Sequence, residues 1–206
     1  MAEQPARRRR TQSERREATQ AAVLDTALEI LATEGYVAFA SSGVAARAGI
    51  SRGALEHYYP KKIDLIAAAC HHAIERSVAE AREAAASPDM AGDPVGTFLS
   101  ASERFFFAPA YAAQIELLIA ARADRALAGV IHPIVLDARR RLDDVWTEVL
   151  IRLGQEAVVA RRYVDLSHVL MRGLYLAETW LPQGDEREKI IAQWRDASRA
   201  LLASGL

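Results

Sequence analysis

The chain has little cysteine, glycine or proline and no long apolar run, and each of these shortages excludes a class of structure. With a single cysteine, Cys70, no disulfide can form within the chain, as is usual in a reducing compartment. Glycine (11) and proline (7) are sparse among 206 residues, while alanine and leucine are abundant, which favours an all-α fold. No segment approaches the roughly 20 apolar residues of a transmembrane helix. We therefore expect a cytoplasmic protein without a membrane partner.

The sequence also lacks the short motifs of common enzyme sites. It contains no glycine-rich phosphate loop and no HExxH, CxxC or GxSxG. His71 and His72 are adjacent rather than four residues apart, so they do not form a helical metal pair. The carboxylates are dispersed along helix faces. We predict that the protein is not an enzyme and that it uses no metal or cofactor.

The most informative stretch runs from Val44 to Lys62 and has the pattern of a helix-turn-helix. Gly49 can take the positive φ that a tight turn between two helices requires. Ser51 is a favoured N-cap for a second short helix, which must end before Pro60 because the residue before proline avoids the α region. So short a helix is stable only when its neighbours hold it, here through Leu55. Its other face is then free to read double-stranded DNA.

Charge is unevenly distributed in a way that suits this interpretation. The net charge of the whole chain is −1, but residues 1–62 have a net charge of +3 and residues 63–206 a net charge of −4. Within the first 16 residues there are six arginines, including Arg7–Arg10, and two glutamates. We predict that residues 1–15 form a disordered basic arm that contacts phosphates or the minor groove. A merely solubilising tail is the alternative.

Apolar periodicity predicts about nine helices and no strands. Besides the two short helices of the motif, they are expected near residues 16–34, 60–86, 95–107, 110–122, 125–153, 158–181 and 187–203. Gly35 is expected to end the first helix and Pro60 to occupy the first position of the helix after the motif. Pro133 should kink or split the helix at 125–153. Ser87–Pro94 is predicted to be a loop.

The residues around the turn are similar to those of a known family. Gly35-Tyr36 is followed by Val44-Ala45-x-x-Ala48-Gly49-Ile50-Ser51-x-Gly53-Ala54-Leu55-x-His57-Tyr58-Tyr59-Pro60-x-Lys62-x-x-Leu65. Over about residues 16–78 the chain resembles the TetR family of bacterial transcriptional regulators. The carboxy-terminal part resembles the family only in its architecture.

The resemblance implies a domain organisation and a function. After the arm (1–15) we expect a helix-turn-helix DNA-binding domain (16–60) and a helical effector-binding and dimerisation domain (61–206). The implied protein is a homodimer that binds a palindromic operator of double-stranded DNA in the nucleoid, usually as a repressor released by a small molecule. The aromatic residues described below indicate that this effector is largely apolar. Two other functions stay open: a helical ligand-binding or scaffold protein with impaired DNA reading, and a TetR-like activator.

Ten residues are predicted to contact DNA. Arg52 is the first choice for bidentate binding of guanine, and Ala54 can touch a thymine methyl group. Lys62, with the free amides behind Pro60, is expected to hold a phosphate. For His57 and Tyr58, packing within the protein is the alternative. The full set is Ser42, Arg47, Ser51, Arg52, Gly53, Ala54, Glu56, His57, Tyr58 and Lys62.

Two positions depart from the family pattern. Ala40 stands where the family usually has threonine, so that Ser41 or Ser42 is expected to cap the first helix of the motif. Glu56 stands where an uncharged residue is common. Its carboxylate is either repelled by phosphates, or accepts from a cytosine amino group, or pairs with Arg52 four residues earlier.

Two further sets of residues are predicted in the carboxy-terminal part. Helices that are apolar on two sides, at 158–181 and 187–203, must be buried on two sides, and one side invites a second subunit. The predicted dimer interface comprises Leu166, Val169, Gly173, Leu176, Trp180, Ile191, Trp194 and Ser198. A cluster of aromatic residues predicts an effector pocket, although each member can also be plain core. The predicted pocket comprises Phe98, Phe105, Phe106, Tyr111, Ile115, Trp146, His168 and Tyr175.

Overall fold

The computed structural model describes residues 11–180 and 184–204, and these residues form ten α-helices and no strand. The helices are α1 (Gln12–Ala38), α2 (Ser41–Arg47), α3 (Arg52–Tyr58), α4 (Lys62–Ala85), α5 (Pro88–Gly92), α6 (Pro94–Phe106), α7 (Pro109–Ala121), α8 (Arg125–Arg152), α9 (Ala157–Trp180) and α10 (Glu186–Ser204). The predicted all-α fold is confirmed. The prediction of nine helices is short by one, because the expected loop at Ser87–Pro94 contains α5.

The first helix begins earlier than its apolar pattern indicates. It begins at Gln12, where Thr11 Oγ1 accepts from the Glu14 amide (3.2 Å) and Glu14 Oε2 accepts from the Thr11 amide (2.7 Å). This reciprocal capping stabilises a polar turn that carries no apolar periodicity. Residues 11–15 are therefore helical or cap the helix, and they are not part of a disordered arm. Residues 1–10, with Arg7–Arg10, lie outside the described residues. Gly35 takes φ 77° and ψ 172°, which are not helical values, so the regular helix is interrupted there as expected, and a separate turn after this kink reaches Ala38.

The long helix α4 lies at the centre of the molecule, between α1 and α8. It begins at Lys62, not at Pro60, because the Asp64 carboxylate accepts from the Lys61 amide (3.0 Å) and thereby fixes the start of the helix. Its apolar face is buried, including Leu65, Ile66 and Cys70. Burial raises the pKa of the Cys70 thiol to about 12, so that this cysteine is an unreactive core residue.

The helix α8 continues through Pro133, so that of the two predicted effects, a kink or a split, the split does not occur. Proline removes one backbone donor and leaves the carbonyl of Gly129 without its helical partner. Both Gly129 and Pro133 are exposed, and water can therefore reach that carbonyl. This placement explains why the helix tolerates the proline.

The helix α9 has a buried side and an exposed apolar side. Tyr163, Val164 and Met171 belong to the core, whereas Leu166 and Val169 are about half exposed. None of the described helices is both long and apolar enough to span a membrane.

Candidate nucleic-acid interface and internal cavity

The helix-turn-helix forms as the sequence predicts. Gly49 adopts φ 68°, and Ser51 Oγ accepts from the Ala54 amide (3.2 Å) as the N-cap of α3. Leu55 is buried and anchors α3 against the core. The predicted contact residues of α3 are all exposed: Arg52, Gly53, Ala54, Glu56, His57 and Tyr58.

The cap of α2 differs from the prediction. Ala40 is the N-cap residue and makes no side-chain hydrogen bond, while Ser41 and Ser42 lie within the first turn. Neither serine caps the helix, because the chain enters the helical conformation one residue earlier than a serine cap requires. The hydroxyl of Ser42 is exposed and is not used to hold the helix.

On α3 the side chain of Arg52 lies against that of Glu56. Arg52 Nε donates to Glu56 Oε1 at 2.6 Å, and the two side chains are 74% and 46% exposed. This geometry is the third of the three alternatives for Glu56. Because the bond uses Nε, the terminal Nη nitrogens stay at the outer edge of the guanidinium, where a second acceptor can approach.

Two aromatic residues at the end of α3 have different surroundings. Tyr58 is 39% exposed, and the guanidinium of Arg16 lies 5.1 Å from the centre of its ring. The ring of His57 meets Tyr58 edge-on at 5.3 Å. Tyr59 is half-buried and packs against the core. Arg16 and Tyr58 together extend the exposed α3 face toward the start of α1.

Two of the cations predicted to contact DNA, Arg47 and Lys62, have protein partners. Arg47 forms an ion pair with Glu34 at the surface. Lys62 Nζ donates to the carbonyl oxygen of Tyr36 (3.0 Å) and lies 4.1 Å from the centre of the Tyr36 ring. Burial lowers the pKa of Lys62, and the nearby Asp124 carboxylate opposes that shift. The ammonium group of Lys62 is thus directed at α1 rather than outward.

Tyr36 also connects the helix-turn-helix to the carboxy-terminal helices. Its hydroxyl donates to Asp124 Oδ2 (3.2 Å), and Asp124 Oδ1 accepts from the amides of Ala126 and Leu127 as the N-cap of α8. The tyrosine that holds Lys62 is therefore hydrogen-bonded to the first turn of α8.

A cavity of about 190 Å³ lies between the helices α6 to α9. Five of the predicted pocket residues line it: Phe105, Phe106, Tyr111, Ile115 and His168. The other lining residues were not predicted from the sequence: Gln114, Leu118, Val135, Leu136, Ala138, Arg139, Leu142, Asp143 and Arg172. Most of these come from α7 and α8, where no aromatic cluster draws attention to them.

Three predicted pocket residues do not line this cavity. Phe98 is fully buried and packs edge-on against Trp146 (5.1 Å between ring centres). Trp146 lines a separate small cavity, which it shares with His168. Tyr175 packs its ring against Tyr111 at 5.0 Å. These rings fill the core behind the cavity, which the linear cluster of aromatic residues could not indicate.

Beside the cavity lies a buried carboxylate, Asp143, whose side chain is only 1% exposed. His168 Nδ1 donates to Asp143 Oδ1 (2.8 Å), while Arg161 Nη2 lies 3.3 Å and Arg139 Nε 3.5 Å from Oδ2. Burial by itself would raise the pKa of Asp143. The hydrogen bond from His168 and the nearby positive charges outweigh burial, and the pKa is lowered.

The predicted dimer interface divides into two groups. On α9, Leu166, Val169 and Gly173 are exposed and Leu176 is half-buried, while the side chain of Trp180 lies outside the described residues. The residues predicted on α10 have different surroundings from those on α9. Ile191 and Ser198 are buried within the subunit, and Trp194 donates from Nε1 to Ser167 Oγ (2.8 Å) and stacks on Tyr163. These three residues fix α10 to α9 of the same chain.

Comparison with known proteins identifies the family. A family model described as bacterial regulatory proteins of the tetR family matches residues 23–69, the segment that holds α2 and α3. The HTH-type transcriptional regulator CymR of Pseudomonas putida is 30% identical over 183 residues, which cover 89% of this chain and 90% of CymR. The chain belongs to the TetR family of regulatory proteins. It is a DNA-binding transcriptional regulator, and its relatives are regulators rather than enzymes.

Solved structures agree with the fold. A transcriptional regulator from Pseudomonas aeruginosa PAO1 aligns with a TM-score of 0.68 and 22% identity over 96% of this chain and 97% of its own. A TetR-family regulator from Rhodococcus sp. aligns with a TM-score of 0.62 and 18% identity, over 91% of this chain and 98% of its own. The multidrug binding protein EbrR, in its complex with ethidium, aligns with a TM-score of 0.59 and 17% identity, over 89% of this chain and 98% of its own.

Proposed function

We propose that this TetR-family protein is a homodimeric repressor in the nucleoid that binds a palindromic operator and is released by a small, largely apolar ligand. The observation that carries the proposal is the exposed face of α3. It presents a fixed guanidinium, Arg52, next to the small residues Gly53 and Ala54. Such a face can enter the major groove of DNA closely and carries a donor for guanine.

Within this proposal Glu56 positions Arg52. A free arginine side chain samples many rotamers, and ordering it on DNA costs entropy. The bond from Arg52 Nε to Glu56 Oε1 fixes the guanidinium in advance and leaves its Nη nitrogens for guanine O6 and N7. The carboxylate repels phosphates at the same time, so that Glu56 favours the correct base over tight binding to any sequence.

Phosphate contacts are proposed around this face. Ser42, Ser51, His57 and Tyr58 are exposed beside Arg52 and can reach the backbone of the duplex. Arg47 and Lys62 can do so only after exchanging their partners, Glu34 and the Tyr36 carbonyl. We expect that exchange to be easy for Arg47, because exposed ion pairs contribute little.

Dimerisation is proposed through the exposed side of α9. Leu166 and Val169, 49% and 55% exposed, continue the apolar stripe that begins with Val158 (62%). Gly173 lies one turn further along and permits a second helix to approach closely. A two-fold axis through this side would place two α3 helices on one face of the DNA, as a palindrome with half-sites about 34–36 Å apart requires.

The proposed ligand site is the cavity between α6 and α9. Its lining is mainly apolar and aromatic, with a few polar groups such as Gln114 and His168. EbrR, which shares the fold, is a multidrug binding protein crystallised with ethidium and with imidazole. A ligand that displaces α8 would act on the hydrogen bond from Tyr36 to Asp124, and through Tyr36 on Lys62. Its effect is limited by its differential affinity for the two arrangements.

The proposal competes with two others. In a ligand-binding or scaffold protein with impaired DNA reading, Glu56 would abolish sequence-dependent binding. In an activator, the operator would be bound but transcription would rise. The ion pair between Glu56 and Arg52 favours intact reading, because the carboxylate is partly neutralised on the protein itself.

The first experiment is the selection of bound sequences from random duplex DNA at physiological salt, since affinity for DNA depends steeply on salt. We expect a palindrome with half-sites one helical turn apart. Transcription from that palindrome in vitro should then fall when the protein is added. Failure of a folded, dimeric protein to enrich any sequence would reject intact DNA reading, and increased transcription would indicate an activator.

A further inference from the structure

Three cavities in the carboxy-terminal helices meet at one aromatic side chain. The largest, of about 190 Å³, is the proposed ligand site. A second, of about 30 Å³, lies further inside against Leu28 of α1 and Ile74 of α4. A third, also of about 30 Å³, lies against Trp146. Phe105 and Leu142 line all three.

The size of the largest cavity limits what it can hold. An apolar cavity of about 150 Å³ accommodates one benzene molecule, whereas typical ligand sites occupy about 300–1,000 Å³. At about 190 Å³ the cavity therefore has room for a single ring with small substituents. A molecule with two separate rings needs additional space, and the two smaller cavities can supply it only if the wall between them is removed.

Of the two side chains that separate the cavities, Phe105 and not Leu142 is the one that can be removed or displaced without disturbing a helix interior. Leu142 is buried in the middle of the long helix α8, where neighbouring turns hold it on both sides. Phe105 is half-buried in the last turn of α6, one residue before the helix ends. Its ring is held by other rings, with Phe106 at 5.0 Å and Tyr111 at 5.6 Å between ring centres.

We propose that Phe105 determines the size of the ligand that this regulator accepts. With the ring in place, the site takes apolar molecules of one ring. Without it, the three cavities join, and a molecule of two rings fits with its far end against Leu28 and Ile74. The inference rests on the proposed function only in so far as the cavity between α6 and α9 is the ligand site.

The test compares two neutral probes that differ by one ring, phenol and 4-phenylphenol, by isothermal titration calorimetry on the full chain. Both are neutral at pH 7, because a phenol hydroxyl has a pKa near 10. We expect the unaltered protein to bind phenol and to bind 4-phenylphenol no better. Phe105→Ala should bind 4-phenylphenol at least about tenfold more tightly than the unaltered protein does, which is about 1.4 kcal/mol.

Phe107→Ala is the matched control. Phe107 is the same residue type two positions along the chain, is also half-buried, and lines none of the three cavities. Its ring instead lies 4.3 Å from the guanidinium of Arg187 and 6.0 Å from the Tyr175 ring. We expect Phe107→Ala to leave the preference between the two probes unchanged. An equal gain of 4-phenylphenol binding in both variants would overturn the proposal.

Other outcomes are equally decisive. If Phe105→Ala does not fold, Phe105→Leu, which keeps an apolar side chain and removes the ring, is measured instead with the same expectation. If the unaltered protein already binds 4-phenylphenol as tightly as the variant does, or if no variant binds either probe, Phe105 does not set ligand size. Neither result affects operator selection, which uses no ligand, so that the proposed DNA-binding role is judged independently.

Discussion

Two carboxylates of this regulator bind arginine side chains, one on the surface and one in the interior, and their settings differ greatly. Glu56 is 46% exposed on α3 and accepts a single bond from Arg52. Asp143 is 1% exposed below α9 and is surrounded by His168, Arg161 and Arg139. The exposed carboxylate of Glu56 therefore has water as an alternative partner, whereas the buried carboxylate of Asp143 is surrounded by protein groups.

This difference indicates what each region is suited to do. The exposed pair can form and break contacts with DNA at little cost, because Arg52 bonds Glu56 through Nε and keeps its Nη nitrogens for other acceptors. The buried carboxylate cannot, because removing a partner leaves a charge without solvation. The α3 surface is suited to form and break contacts, while the interior around Asp143 is suited to fix the relative positions of α8 and α9.

Removing the buried carboxylate should have the largest effect. We expect Asp143→Ala to lower the free energy of unfolding by about 3–5 kcal/mol, since it leaves His168 and Arg161 without their buried partner. Urea denaturation followed by circular dichroism measures this change. The control is Asp137→Ala, because Asp137 is a 44% exposed partner of Arg140 on the same helix. That variant should lose less than about 1 kcal/mol. Equal losses would remove the distinction between the two settings.

Removing the exposed cation should affect DNA reading and not stability. We expect Arg52→Ala to lower discrimination at one base pair of the operator by about 1–3 kcal/mol. The free energy of unfolding should stay within about 0.5 kcal/mol of the parent value, as for most surface substitutions. Competition binding to operator variants measures the first quantity. A uniform loss of affinity for all sequences would mean that Arg52 contacts only phosphates.

The pH dependence of stability should follow the buried carboxylate. Because the folded-state pKa of Asp143 lies below its unfolded value of about 3.9, its contribution is present above that value and is lost as pH falls through the folded-state pKa. We therefore expect the stability difference between the parent and Asp143→Asn to be constant near neutrality and to shrink below about pH 4. Urea denaturation at several pH values measures it. A difference that persists unchanged to the lowest pH would show that Asp143 does not act through its charge.

Changing the exposed carboxylate should have the smallest effect on stability. We expect Glu56→Ala to change the free energy of unfolding by no more than about 0.5 kcal/mol, as for other pairs four residues apart on a helix. Affinity for random DNA should rise because a negative charge is removed, whereas discrimination at the Arg52 base pair should fall because the guanidinium is no longer held. Parallel titrations with operator and random duplexes separate the two. Unchanged discrimination would reject a positioning role for Glu56.

Local chemistry explains which structural predictions succeeded. The positive φ of Gly49, the cap by Ser51 and the end of α3 before Pro60 each depend on a few adjacent residues, and all three are confirmed. The start of α1 was placed too late because Thr11 and Glu14 stabilise a turn without apolar residues. The start of α4 was placed too early because the Asp64 cap was not considered.

Packing decides which of the predicted interface and pocket residues are exposed, which are buried and which line a cavity. Ile191 and Ser198 share an apolar pattern with Leu166 and Val169, but only the last two are exposed. A pattern of residues indicates that a helix has two apolar sides, and it does not say which side the same chain covers. In the same way, Phe98 is buried in the core and Phe105 lines three cavities, although both belong to one aromatic cluster on α6.

By itself the sequence determined the all-α class and the helix-turn-helix, because helix periodicity, turn glycines and caps are properties of neighbouring residues. The family followed from the resemblance of the motif residues. Only the tertiary structure decided that Asp143 is buried with His168, that Lys62 is bound to the Tyr36 carbonyl, and that α10 belongs to the core of its own subunit. The physical reason is distance along the chain. Contacts between residues far apart in sequence depend on how whole helices pack, and packing is decided by shape and burial rather than by local pattern.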